Sequence, residues 1–209
     1  LIVRNHEVSP GGVGPLANPK EPPSNYDSSK AYDTAGGSHI CGGGTTTIVF
    51  DTKQQRVVRE SLSLTGTIRN CAGGPTPWNS WITCEETILH AGKNNKSNVE
   101  LDRDHGYNFE VPASAEISLA EPIPLKAMGR FVHEAVAVDP ATSIVYETED
   151  EGDGSFYRFI PNTPGVLASG GKLQALKVRD QKSLDTRNWI DGTHDIKVGQ
   201  TFDVEWIDL

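Results

Sequence analysis

An all-β fold, a sandwich or a propeller, is predicted by three features of this 209-residue sequence. Short runs of alternating apolar and polar residues recur along the chain, separated by Gly-, Pro-, Asn- and Asp-rich segments; this is the pattern of strands joined by turns. With 21 glycines and 13 prolines, long helices are excluded. No stretch has the periodicity of an amphipathic helix, and residues 112–128 contain three prolines.

The elements follow in order. Residues 1–7 (LIVRNHE) read as a strand, and 8–44 as a long Gly/Pro/Ser-rich loop excursion. Residues 45–51 (TTTIVFD) and 56–65 (RVVRESLSLT) flank a short polar turn, which is a hairpin signal. Residues 66–80 have loop chemistry, 81–86 (WITCEE) read as a strand, and 91–104 form a polar loop. Further strands are expected at 105–111, 131–139, 143–149 and 155–160, with weaker runs at 172–178 and 201–207. Asp139–Pro140 and the EDEGDG run at 149–154 are turns, since proline cannot continue a ladder. No repeat at a fixed period selects the propeller over the sandwich.

Charge narrows the partners. Acids outnumber bases 28 to 19, for a net charge of -9, so a phosphate backbone would be repelled and nucleic acid is not an expected partner. No apolar run approaches the ~20 residues of a membrane-spanning helix. The three cysteines (Cys41, Cys71, Cys84) allow at most one intrachain disulfide. The chain starts within one strand-like run and stops within another, with no signal peptide, and it reads as the N-terminal part of a longer protein.

Carboxylates fall where apolar side chains are expected. On strict alternation, one face of 131–139 carries Val132, Glu134, Val136 and Val138. In 81–86, Ile82, Cys84 and Glu86 share one face, while Trp81, Thr83 and Glu85 share the other. In 1–7, Glu7 follows Leu1, Val3 and Asn5. A buried carboxylate needs a cation or takes a proton. Calcium, a hard ion, takes several carboxylate oxygens. Against this, Glu7 and Glu86 lie at strand ends, where water is within reach, and EDEGDG lacks the spacing of a calcium loop. His6, His105 and His133 read first as hydrogen-bonded structural histidines. Cys71 lies just after Arg69 in RNCAGG; as a thiolate there it would be a soft ligand or a nucleophile, pointing to a transition metal beside calcium. Cys84 reads as core.

The blocks NHE (5–7), GGTTTIVFD (43–51), RNCAGGPTPWNSWITCEE (69–86), HGYNFEVP (105–112), RFVHEAVAVDP (130–140) and VYETEDEGDGSFYRFIP (145–161) together resemble the alkaline phosphatases of the PhoX type. The resemblance runs over most of residues 1–180. It implies a β-propeller, of which this chain would be a partial one forming a single domain over 1–209. It further implies hydrolysis of phosphate monoesters with ferric iron and calcium, and export to the periplasm or cell surface. By the same resemblance Cys71 is an iron ligand, Glu86 and Glu134 are metal ligands, and Glu7 with Glu149 or Asp150 supplies further carboxylates. Glu85 and Glu86 remain alternatives. Further ligands would lie beyond Leu209.

A small phosphate ester is then the expected substrate, with the chain acting as a monomer. Arg69, Asn70 and Arg130 are candidates to bind the phosphate, and His133 to protonate the leaving group or orient Glu134. For Arg69 and Arg130 the plainer reading is an ion pair with a nearby carboxylate. Two rivals differ in class: a calcium-dependent lactonase- or esterase-like propeller, which has no use for a thiolate, and a calcium-stabilised binding module without turnover.

Overall fold

Strand pairing follows the alternating runs. The computed structural model describes residues 1–12, 14–15, 21–38, 40–94, 99–188 and 196–209. Parts of the expected excursion (13, 16–20 and 39) and of the expected 91–104 loop (95–98) lie outside the described residues. The fold is all-β: its sheets are antiparallel, and the described residues contain no α-helix.

The first sheet joins β1 (Ile2–His6), β2 (Gly44–Asp51) and β3 (Arg56–Thr65), with β2 central. The threonine run of β2 suits this position: β-branched side chains pack on a pleated surface, and Thr45 Oγ1 meets Ser63 Oγ at 2.8 Å across the β2–β3 pair. The second sheet has the order β4 (Asn70–Pro75), β5 (Ser80–Glu85), β8 (Asn108–Pro112). Between them in sequence, β6 (Gly92–Asn94) and β7 (Val99–Leu101) form a small hairpin. The third sheet is an up-and-down meander of β9 (His133–Val138), β10 (Val145–Glu149), β11 (Phe156–Pro161), β12 (Gly171–Val178) and β13 (Val204–Asp208).

The middle sheet packs on both faces. Register puts Ile82 opposite Glu110 and Cys84 opposite Asn108, and this face packs on Met128 and meets the third sheet through Val136, Val145 and Phe159. Thr83 lies opposite Phe109 and Trp81 opposite Val111; Phe109 and Val111 pack with Tyr32 and Leu64. Burying both faces removes the polar-out alternation that a one-sided sheet would show, so Thr83, Glu85 and Asn108 are buried polar residues that need partners.

Two loop expectations are corrected. Residues 66–80 contain β4, whose Gly-Gly-Pro composition conceals a strand, because its pairing is supplied by β5 rather than by its own propensity. Residues 91–104 contain the β6–β7 hairpin. The 8–44 excursion is also more than a surface loop. Tyr32, Asp33, Ala35 and Cys41 are buried, and the amides of Tyr32 and Asp33 donate to Thr65 O and Gly66 O at 3.0 Å. The three cysteines are free.

Candidate metal centre

Two irregularities of pairing bring the site together. In the β4–β5 ladder Asn70 faces Glu85 and Gly73 faces Thr83, so Cys71 and Ala72 share Cys84 as their one opposite residue. In the β9–β10 ladder His133 faces Glu149 and Val136 faces Glu147, so Glu134 and Ala135 share Thr148. Each is a β-bulge, which inserts a residue and re-aims the side chains around it. The alternation expected for 131–139 therefore fails. His133, not Glu134, lies in phase with Val136 on the buried face, and Glu134 is turned towards β4.

The two bulges face one another. Cys71 Sγ donates to Glu134 Oε1 at 3.5 Å. Gly74 permits the approach, since a Cβ there would lie 2.2 Å from Val136 O. Asn5 fixes the β4 bulge from the other side. Its Nδ2 donates to Cys71 O (3.1 Å) and Ala72 O (2.7 Å), while its Oδ1 accepts from Trp81 Nε1 and Thr83 Oγ1, both at 3.0 Å. The sequence reading placed Asn5 on a strand face without giving it a role; its position two residues before Glu7 in NHE was the available signal.

Glu86 is the pivot. Potential ligand atoms of Glu7, Cys71 and Glu86 lie within 4.8 Å of one another, and so do those of Glu86, Glu134 and Asp150. Arg69 is the cation at this cluster among the described residues. Its Nη2 donates to Glu86 Oε2 at 2.7 Å and lies 3.4 Å from Glu7 Oε1, and its Nε donates to Glu86 O at 3.0 Å. Arg69 takes a left-handed φ of 48°, uncommon for a side-chain-bearing residue. A cleft of about 400 Å³ opens beside it, lined by Arg69, Glu86, Val132 and Asp150 among others.

One guanidinium does not balance this much negative charge. Burial, then the carboxylates of Glu134 and Glu86, push the Cys71 thiol up to about 12. Glu134 is raised by burial, with Glu86 adding to it, and Asp150 is raised chiefly by its hydrogen bond to Glu86. The carboxylates crowd one another here, and the donor set of one thiol and several carboxylates fits hard and soft ions side by side.

The other expected residues lie elsewhere. Glu85 separates from Glu86 because β5 ends between them. It is fully buried, its Oε1 taking Ile68 N (3.0 Å) and His105 Nδ1 (2.7 Å), and its Oε2 taking Gly106 N (2.8 Å) and Tyr107 N (3.2 Å). Glu149 is held within its own hairpin by Ser155 N and Tyr157 Oη. Asn70 is buried and occupied. Its Oδ1 accepts from Gly44 N and Thr67 Oγ1, its Nδ2 donates to Thr83 Oγ1, and its complete burial keeps it from a phosphate in the cleft. Arg130 ties two loops, donating to His105 O (2.9 Å) and Leu89 O (2.7 Å). His133 is 1% exposed, tilted against the Phe131 ring, with Nδ1 3.3 Å from Glu147 Oε2. It is sealed from the cleft and is not placed to orient Glu134. Glu147 and Asp33 are buried carboxylates that the sequence reading did not single out.

One thiol and several carboxylates thus meet where β4 of one sheet packs on β9 of the next. The family model described as alkaline phosphatase PhoX matches residues 25–209, and the chain belongs to that family. A comparison with curated proteins finds no match. Among solved structures, the chain is similar to Pseudomonas fluorescens PhoX in complex with vanadate, a transition state analogue, at 19% identity and a TM-score of 0.41. That match covers 64% of this chain and 30% of the other, so the chain spans about a third of that protein's length.

Proposed function

We propose that the chain supplies part of the metal centre of a phosphomonoester hydrolase. The observation that carries this is Glu86 shared between two ligand groups, one with Cys71 and Glu7 and one with Glu134 and Asp150, at the edge of a cleft. On this reading Cys71 and Glu86 hold iron, and Glu7, Glu134 and Asp150 join Glu86 in holding calcium. When bound, such cations supply charge neutralisation for the phosphate oxygens and acidify water. Membership of the PhoX family supports the same reaction class.

The chain's own residues then have separate tasks. Arg69 lines the cleft with a planar fork of donors that matches phosphate oxygens, while its bonds to Glu86 keep it oriented. Cys71 and Glu134 meet across the two bulged strands at the centre, where both would serve as ligands. Phosphoryl transfer needs positioning and charge stabilisation more than covalent chemistry, which suits a rigid carboxylate frame. The net charge of -9 does not oppose an anionic substrate, because bound cations reverse the local sign.

The same proposal takes in the propeller. The three sheets stack face to face in chain order, and repeating that arrangement around an axis would close one. It also takes in a monomer exported to the periplasm or cell surface; no helix among the described residues is long and apolar enough to cross a membrane.

The test is elemental analysis of the natively purified protein, together with turnover of p-nitrophenyl phosphate with and without chelator. Iron with calcium, and turnover that chelator abolishes, is the expected result. Calcium without iron and without turnover overturns the reading in favour of a binding module.

A further inference from the structure

Behind the centre, and separate from it, lies a second group of ionisable side chains that the proposed reaction does not use. His105 is completely buried between two completely buried carboxylates. Its Nδ1 is 2.7 Å from Glu85 Oε1 and its Nε2 is 3.2 Å from Asp33 Oδ2. With an acceptor at each ring nitrogen, the ring carries both protons and a positive charge. The carboxylates are otherwise filled by backbone amides: Asp33 accepts from Ala35 N and Arg103 N, and Glu85 from Ile68 N, Gly106 N and Tyr107 N. Although Asp33, Cys41 and His105 are close enough together to ligate an ion, these bonds are already satisfied, so the cluster reads as a clamp rather than a second metal site.

What the clamp grips is informative. Glu85 precedes Glu86, and Ile68 precedes Arg69. The Glu85 carboxylate takes the Ile68 amide, and the next residues bond reciprocally, with Glu86 N donating to Arg69 O at 2.9 Å and Arg69 Nη2 to Glu86 Oε2 at 2.7 Å. The left-handed turn at Arg69 therefore sits directly on the residue that Glu85 holds.

We infer that His105 is a positioning residue for the centre, its charge holding Glu85 so that Glu85 fixes the backbone from which Glu86 and Arg69 project. The inference rests on the metal-centre reading, and its test separates the two. Calcium affinity is measured by titration calorimetry on the full chain for wild type, His105→Gln and Leu62→Ala, a buried β3 substitution that serves as a control for lost stability. Amide hydrogen exchange is followed at Ile68, Arg69 and Glu86 in the same three proteins.

His105→Gln is expected to weaken calcium binding about 10–100-fold, the range for groups that orient metal ligands, and to strip protection from those three amides. Leu62→Ala is expected to do neither. Wild-type affinity and protection in folded His105→Gln overturn the clamp. If wild type binds no calcium, the metal reading fails and the exchange data decide the clamp alone. If His105→Gln does not fold, Glu85→Gln is measured instead, and retained affinity and protection there overturn it equally.

Discussion

Cys71 illustrates how one side chain's chemistry depends on what stands beside it. With only protein around it, burial and neighbouring carboxylates hold its thiol protonated, and Arg69 does not relieve this because the guanidinium nitrogens that bond at the cluster are directed at Glu86 and Glu7. On the proposed reading, a bound cation would reverse the balance and Cys71 would serve as a soft thiolate ligand. Cys71→Ser, which keeps the shape but offers a hard oxygen, is therefore expected to abolish iron content while leaving calcium at more than about half of wild type, since the carboxylates that favour hard ions are untouched. Elemental analysis checks this, and equal loss of both metals would show that the sulfur is not an iron-selective ligand. The residue types of the site were legible in the sequence: a cysteine in a Gly-rich run, and carboxylates in apolar strands. The choice of Glu86 over Glu85 for the cluster was not. It depends on β5 ending at Glu85 and on His105, twenty positions away, arriving to claim that carboxylate.

At the scale of the element, the bulges in β4 and β9 decide the geometry. Without them Cys71 and Glu134 would follow plain alternation, as the sequence reading of 131–139 assumed, and the glutamate would stand in the valine row. Gly74 lets the bulged strands meet, because any Cβ there would collide with the carbonyl of Val136. Gly74→Ala should force β4 and β9 apart. The expected cost is about 1–3 kcal/mol of stability, as for overpacking elsewhere, with a parallel loss of calcium affinity. Urea melts and calcium titration on the same variant measure the two. A stability loss with unchanged affinity would mean that the Cys71–Glu134 spacing is not what the cation senses.

The whole molecule carries a pH dependence that originates in its interior. Burial alone would lower the His105 imidazole, but Glu85 first, then Asp33 and Cys41, raise it from 6.5 to about 11. A base raised on folding stabilises fully below pH 6.5, and its contribution is lost as pH rises towards and through about 11. The groups facing it are Glu85, Asp33, Cys41 and the Tyr32 ring, with Arg103 over that ring. Cys41 and Tyr32 are raised by burial and add their own alkaline loss, so the informative quantity is a difference. The stability gap between wild type and His105→Gln should be widest near pH 6 and close steadily between pH 7 and 11. Denaturant melts across that range give the curve, and a gap independent of pH would mean that the buried ring is neutral.

The sequence by itself determined the all-β class, the places of most strands, the absence of long helices and the chemical types that gather at the centre. These are local properties: alternation, turn residues and composition act within a few positions of one another. Tertiary structure alone decided that residues 70–75 are a strand, that Glu134 leaves the valine row, that Asn70 and His133 are buried and Arg130 is bonded to the loop carbonyls of His105 and Leu89, and that Glu86 is the shared carboxylate. Each of those outcomes is set by a partner far along the chain. A bulge exists only relative to the strand it pairs with, and a one-residue shift of register exchanges the two faces of everything beyond it.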